Sequence, residues 1–506
     1  MPKAAPAAAA SEREAEESQN PEQATAKQKN KRVKNSSTPL KKKKPAAFNV
    51  NAVAAALQNS IAKLKRPSSD RPDIRSLFPD GLDLRSNIEA VENSIILPED
   101  AQAKIRDAIG LNQNAPLRIS YIPGPGDLSG TYALWKQGQH ETAIPSIAYS
   151  TMFFELCKQI DANAQIIERD EISADTKQDD RFRFDKLSYK RGSSRFAYWS
   201  QRAKYARDCI KAIKDFDPHI VIISSDYPFY ALKPLVKKNR KLLFTVHNSL
   251  WPMGMEELPL RTRIKNRMKQ AWLKPVDNAV FTSHECARQI NQITQQDFPE
   301  YVGKPQQKSI ITQRHRDLSR PLETLVYLGR IETNKGVFEL LEAFEQLAEH
   351  SPDLKLIYAG DGSAFEALGE KVARSKYKKR IQLPGRLNAQ EVHHLLGQKA
   401  DALICPTTTD FCEGLAFVCF EAAAHGVPTI MTSVVPASDL LGDACLVCAP
   451  DSANAIAQAV QELLGDGEKL KAMRKRALTK SAITYDRSGS WGSQLFKAIC
   501  EPSYKQ

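Results

Sequence analysis

From about residue 116 onward, short β-type runs alternate with amphipathic stretches, and the series is run through twice. Few folds accept that alternation. Parallel strands need long crossovers, usually helical, so each series predicts a parallel sheet with helices on its faces. The first series is 118–122, 220–224, 242–246 and 279–282; the second is 324–328, 355–359, 380–383, 402–405 and 428–431. An α/β protein with two doubly wound domains follows, and a ligand would lie between them, outside the carboxyl ends of the strands. The length of 506 residues suits two such units plus extensions. Pro299, Gly303 and Pro305 precede a polar, basic stretch ending at Pro321, which puts the boundary near 300–320. We assign 116–305 to the first domain and 306–484 to the second.

Ahead of these lies a different kind of sequence. Residues 1–47 are rich in Ala, Lys, Gln and Ser with almost no large apolar side chain, so they cannot offset the entropy of ordering and are expected to be disordered. Much of the formal charge of +13 sits here: the run that begins at Lys27 and ends at Lys44 has nine Lys or Arg and no acid. It reads as a solvated tail, with peripheral contact to an anionic membrane as the functional alternative. It lacks interleaved aromatics and any nucleic-acid signature, so no specific nucleic acid is expected. Residues 48–115 read as a helical or irregular extension, with helical spacing of Val50, Val53, Leu57, Ile61 and Leu64 and a second helix over 99–109. No uncharged apolar run approaches the ~18 residues of a spanning helix. The alanine-rich start lacks a signal core and is followed by Glu12, Glu14, Glu16 and Glu17, which points to a cytoplasmic protein.

Two constellations carry chemistry. In the first, a strand ends at Gly329-Arg330 and leads through Lys335-Gly336 into a helix with apolar Val337, Leu340, Leu341, Phe344 and Leu347. Arg330 and Lys335 stand beside that helix's N-terminus, where amides and dipole already favour an anion, so a diphosphate fits. Their charges would neutralise a departing phosphate. The second is the segment from Pro406 to Pro428. Glu421 lies among Phe, Val, Cys and Ala, where a carboxylate is costly without partners, and ribose hydroxyls would supply them. Glu413 precedes the helix beside Gly414, where the chain can come close to a ligand, and is placed to accept from sugar hydroxyls. The alternatives are a capping role for Glu413 and a core ion pair for Glu421.

Both stretches resemble family 4 of the retaining glycosyltransferases, the group 1 glycosyl transferases, whose two Rossmann-like domains form the GT-B fold. The resemblance covers most of 116–500 and rests on two patterns: G-R-x-x-x-x-K-G, with Arg330 and Lys335, and the paired glutamates E-x7-E, with Glu413 and Glu421. It implies a diphosphate held by Arg330 and Lys335. The donor sugar would be held by Glu413, the ribose by Glu421, and the Gly414, Leu415 and Ala416 backbone would lie near sugar and phosphate. It also implies hexosyl transfer from a nucleotide diphosphate sugar, with retention, to a glycan, lipid-linked or small-molecule acceptor. His247, ending a first-domain strand, matches a position that often faces the donor sugar. Residues 485–506, with Trp491, Leu495 and Phe496, resemble the closing helix that crosses back to the first domain.

Other features are weighed against this frame. Gly124-Pro125-Gly126-Asp127-Leu128-Ser129-Gly130 follows a strand as a phosphate loop would, with Gly126 the candidate contact, although Ser129 stands where the last glycine belongs. The family's aromatic-glycine stretch after the first glutamate is here Leu415-Ala416-Phe417. Asp215-Phe216-Asp217 has the letters of a metal-holding D-x-D but precedes its strand, away from the cleft, and reads as a turn; no metal or other cofactor is expected beyond the donor as co-substrate. Cys445 and Cys448 have C-x-x-C spacing within a strand-like run, where residues three apart face opposite sides, so neither a metal nor a redox role is assigned. The rival reading is a catalytically silent scaffold of the same fold, tethered by its basic tail.

Overall fold

The computed structural model describes residues 88–90 and 94–503, apart from 141–144, 171–174, 190–193, 226, 256 and 312–316. The tail 1–47 with its basic run, and the helix expected near 48–65, lie outside the described residues. The strands are β1 (Ile88–Ala90), β2 (Leu117–Ile122), β3 (Ala162–Asp170), β4 (Asp175–Asp179), β5 (Phe182–Ser188), β6 (Ile220–Ser224), β7 (Lys241–Val246), β8 (Asn278–Phe281) and β9 (Tyr301–Val302). The series continues with β10 (Ser309–Ile311), β11 (Thr324–Leu328), β12 (Lys355–Ala359), β13 (Ile381–Gly385), β14 (Ala402–Cys405), β15 (Thr429–Thr432) and β16 (Cys445–Cys448).

They form two large sheets with helices on both faces, as the alternation predicts. The first has the order β4-β5-β3-β2-β6-β7-β8-β9 and the second β13-β12-β11-β14-β15-β16; β1 pairs separately with β10. Only the β4–β5 hairpin breaks the parallel run in the large sheets. In each sheet the strand order reverses beside the first strand of the lobe, at β2/β6 and at β11/β14. Loops leaving the carboxyl ends there diverge and leave a crevice.

Alternation within a strand feeds two cores. Ile220 and Ile222 of β6 join one cluster and Val221 and Ile223 the other, so every residue of that strand is buried. Strands β3 to β5, which sequence patterning does not reveal, have a polar interior. Gln165 is fully buried in β3, accepts from the Ser120 hydroxyl at 2.6 Å and donates to Asp185 of β5 at 2.6 Å and to the Ala212 carbonyl at 3.0 Å. A satisfied buried network costs little, but it erases the apolar signature.

The Trp491–Cys500 helix packs into the first lobe, with Trp491, Leu495, Ala498 and Ile499 in the same core as β2. Asn278 donates to the Ala498 carbonyl at 2.9 Å, and the Lys241 ammonium reaches the carbonyls of Ile499 and Glu501 at 2.7 Å each, capping the helix's negative end. The chain therefore passes between the lobes twice. The passes are joined where Lys304 N–H donates to the Gly489 carbonyl at 2.8 Å and Arg487 donates to the Gln307 carbonyl at 2.6 Å.

The second lobe is tied to its incoming segment by a buried charge. Arg474, with no exposed surface, lies 3.4 Å from Asp401 and also donates to the carbonyls of Leu318 and Arg320. Asp401, equally buried, accepts from the amides of Thr324 at 2.9 Å and Glu323 at 3.1 Å. Removing one member of a buried pair costs about 3–5 kcal/mol. Because Asp401 keeps Arg320 at 2.9 Å, Arg474→Met is expected at the low end, a loss of about 3 kcal/mol in chemical denaturation; a loss below about 1 kcal/mol would contradict the assignment.

Candidate functional site

The crevice of the second lobe is built by the loops that leave β11 and β14, which are neighbours in the sheet. After β11 the chain makes a 3-10 turn over Thr333–Lys335 and enters the Val337–Ala348 helix through Gly336. Gly336 has φ +71°, and a Cβ there would stand 1.8 Å from the Pro406 carbonyl oxygen, so only glycine lets the two loops meet. Thr408 then fastens them, its amide and hydroxyl donating to the Asn334 carbonyl at 3.2 and 3.0 Å.

This arrangement brings Lys335 onto Glu413. The ammonium is in direct contact with the carboxylate, and Thr407 donates to the same oxygen at 2.9 Å. Lys335 also sits 3.7 Å over the Phe411 ring, and the Arg330 guanidinium lies 5.5 Å from the same ring while pairing with Glu332 at 2.7 Å. Phe411 thus offers one aromatic face to both cations. Patterning misses it; its one signal is its place two residues before Glu413. The Val337–Ala348 helix has no side-chain cap at its N-terminus, so its first amides remain part of the cationic mouth.

The loop also meets the first lobe. Ser249 N–H donates to the Glu413 carbonyl at 3.1 Å. A Cβ at Gly414 would lie 2.0 Å from the His247 carbonyl oxygen. Gly414 thus permits a close approach to the opposite lobe's backbone. Leu415 is buried in the adjoining core, and Ala416 holds φ +60°, a left-handed conformation that costs an L-residue about 1–2 kcal/mol.

Glu421 lies in the short Val418–Ala424 helix with 6% of its surface exposed. Burial pushes its pKa up to about 7, opposed by the charge of Lys308 and a hydrogen bond with Ser146, both from outside its own helix. Close by, His393 and His425 share a contact of 3.0 Å between ring nitrogens, and burial lowers His393 to about 4, with Lys308 adding to the effect. His247 stands across the cleft. Its Nε2 is 3.3 Å from the Thr245 hydroxyl, its ring is 4.6 Å from that of Tyr149, and its buried Nδ1 has no partner among the described residues. Burial lowers its pKa to about 4, so the ring is neutral near pH 7. Tyr149 in turn lies 5.9 Å from Phe417 of the second lobe, ring to ring. Ser146, Tyr149 and Lys308 carry no motif and could not be singled out from sequence.

The loop that follows Gly126 holds two carboxylates at its helix start. The amides there are already taken: Gly130 N–H by Asp127 at 2.8 Å and Ser129 N–H by Glu168. Two carboxylates thus take up the positive end of the Leu128–Lys136 helix. Asp217 sits left-handed at the end of the Arg195–Phe216 helix, at the amino end of β6, held by Lys237 at 2.6 Å and Arg240 at 2.8 Å. The thiols of Cys445 and Cys448 donate to separate backbone carbonyls, those of Gly442 and Met431.

Residues 312–480 match the model of the family described as glycosyl transferases group 1. Among curated proteins the chain is similar to a glycogen synthase of Mycobacterium tuberculosis, 28% identical over 32% of this chain and 38% of the relative. It is also similar to the putative teichuronic acid biosynthesis glycosyltransferase TuaC of Bacillus subtilis, 36% identical over 32% of this chain and 37% of the relative. The matches thus span under two fifths of either relative's length. A solved E. coli trehalose-6-phosphate protein bound to UDP-2-fluoro glucose superposes with a TM-score of 0.53 at 12% identity, covering 76% of this chain and 99% of that one. The fold is GT-B.

Two outcomes follow from the strained and buried groups. Ala416→Gly removes the left-handed penalty and is expected to raise stability by about 1 kcal/mol, read as a higher Tm; an unchanged or lower Tm would count against the strain. Glu421, with its folded pKa raised to about 7, binds more protons folded than unfolded between its ordinary carboxyl range and pH 7, so its contribution to stability falls as pH rises through that window. Relative to wild type, Glu421→Gln should gain stability as pH goes from about 4.5 to 7, measured by thermal melts across that range.

Proposed function

We propose that this chain transfers a hexosyl group from a nucleotide diphosphate sugar to an acceptor hydroxyl, with retention and without a metal ion, as a family 4 glycosyltransferase does. The observation that carries the reading is the contact of Lys335 with Glu413 at the crevice, beside Arg330 and with Glu421 seven intervening residues further on. The group 1 match over 312–480 supports it, as does the likeness to a fold solved with a UDP sugar.

The chemistry follows from the charges. An arriving diphosphate competes for Lys335, a point cation already desolvated and resting on the Phe411 face. As Lys335 turns to the phosphates, the Glu413 carboxylate is released to accept from sugar hydroxyls. Arg330 joins Lys335 in neutralising the charge that grows on the leaving phosphate. Glu421 holds the ribose, and His247, a neutral imidazole at the end of its strand, lies on the sugar's side of the cleft. The acceptor hydroxyl attacks from the leaving group's face, and the departing phosphate takes its proton. The acceptor is a glycan, a lipid-linked sugar or a small molecule, met in the cytoplasm. Among the described residues no helix is long and apolar enough to cross a membrane.

The competing reading is a silent scaffold of the same fold. Melting the protein without metal against UDP, GDP, ADP and the matching nucleotide sugars separates the two. Stabilisation by one nucleotide, with turnover reduced at least about a hundredfold in Glu421→Gln and Lys335→Ala, is the expected result. A folded protein that responds to none of them would be a scaffold.

A further inference from the structure

Of the ten large apolar side chains that stand exposed among the described residues, eight fall between Phe196 and Met268, in the first lobe. They are not scattered. Leu260, Ile264 and Met268 are 69%, 56% and 49% exposed and recur every fourth residue along the Leu260–Leu273 helix. At ~100° per residue they fall in one stripe, while Leu273, the one fully buried residue of that helix, points to the opposite side. Such a helix gains little from core packing, and an isolated helix of this length is marginal in water. Its outward stripe asks for a cover.

The stripe continues across the lobe. Trp272 at the end of the helix lies 6.0 Å from the Tyr230 ring, and the two line a groove with Val236 and Lys233. Tyr230 lies within the influence of Arg202, which sits 5.6 Å over the Tyr198 ring, and Tyr198 meets Trp199 at 5.6 Å. Phe196, 85% exposed, stands one turn before Trp199 on the same helix. The face is thus apolar and aromatic, with Trp and Tyr at its margins.

Charge says what covers it. From Leu258 to Val276 the sequence has no acid, and it has six cations: Arg261, Arg263, Lys265, Arg267, Lys269 and Lys274. At ~100° per residue, Arg263 and Arg267 flank the stripe on one side and Arg261 and Lys265 on the other. Among the described residues none of the six forms an ion pair. A protein partner would have to supply carboxylates on both sides of an apolar ridge. An anionic bilayer supplies charge at every headgroup and an apolar layer just beneath, and it suits Trp and Tyr at its interface.

We propose that this face of the first lobe, formed by the Leu260–Leu273 helix and the aromatic patch from Phe196 to Trp199, docks flat on an anionic lipid surface. Lys269 lies near Cys412, the residue before Glu413, so the docked helix borders the crevice. A hydroxyl carried at the lipid surface would then be presented to the donor site from one fixed side. The proposal stands on surface chemistry and does not need the donor reading.

The test is co-sedimentation of the full chain with phosphatidylcholine vesicles and with vesicles containing phosphatidylglycerol, against the variant Leu260→Gln, Ile264→Gln, Met268→Gln. Wild type should bind the anionic vesicles at least about tenfold more strongly than the neutral ones, and the triple variant should lose that gain while keeping the wild-type melting response to nucleotides. Equal binding by the variant would assign the contact to the basic run between Lys27 and Lys44 and overturn the proposal. No preference for anionic vesicles would do so as well. A wild-type dimer in light scattering that becomes a monomer in the variant would give the face to a second copy of the chain instead.

Discussion

Lys335 and Glu413 are separated by 78 residues, and what brings them together is the adjacency of β11 and β14 at the point where strand order reverses. Their contact is almost dry, with side chains 14% and 9% exposed. Neither charge could stay there alone, because an unpaired ion at that burial costs several kcal/mol. Much else depends on the pair. It joins the two loops at the mouth of the second lobe, and the residue that supplies the carboxylate also accepts a backbone hydrogen bond from Ser249 of the other lobe. One residue therefore takes part in the local electrostatics and in the contact between lobes, and a ligand that draws Lys335 away disturbs both.

The adjoining segment carries two further costs. Ala416 is held left-handed, and Glu421 is buried deeply enough to move its carboxyl to about 7. Neither arrangement favours folding, and both fall within eight residues of Glu413, whose loop touches the first lobe. Departures from local consistency concentrated in this way mark places where geometry is selected over stability.

How much of this was legible depended on whether the cause was local. Strands β6, β7, β11, β12 and β14 declare themselves because parallel strands buried on both faces read as unbroken apolar runs. Strand β3 does not, since Gln165 interrupts it and its partners come from β2, β5 and a helix. The same division holds at the site. The spacing of Arg330, Lys335, Glu413 and Glu421 is local to two segments and could be read. Ser146 and Lys308 beside Glu421, and Tyr149 beside His247, arrive through the fold. At Gly126 the glycines after a strand suggest a phosphate loop, and what sequence could not show is that Glu168, delivered by β3, accepts from the Ser129 amide at the helix start.

The double passage between the lobes also orders events in time. The second lobe is continuous in sequence from β11 to the Gly467–Ser481 helix, whereas the core of the first lobe includes Trp491, Leu495 and Ile499. During synthesis from the N-terminus, the earlier lobe must wait, with that side of its sheet open, until the later lobe has been made in full. The half of the molecule that begins first is therefore completed last.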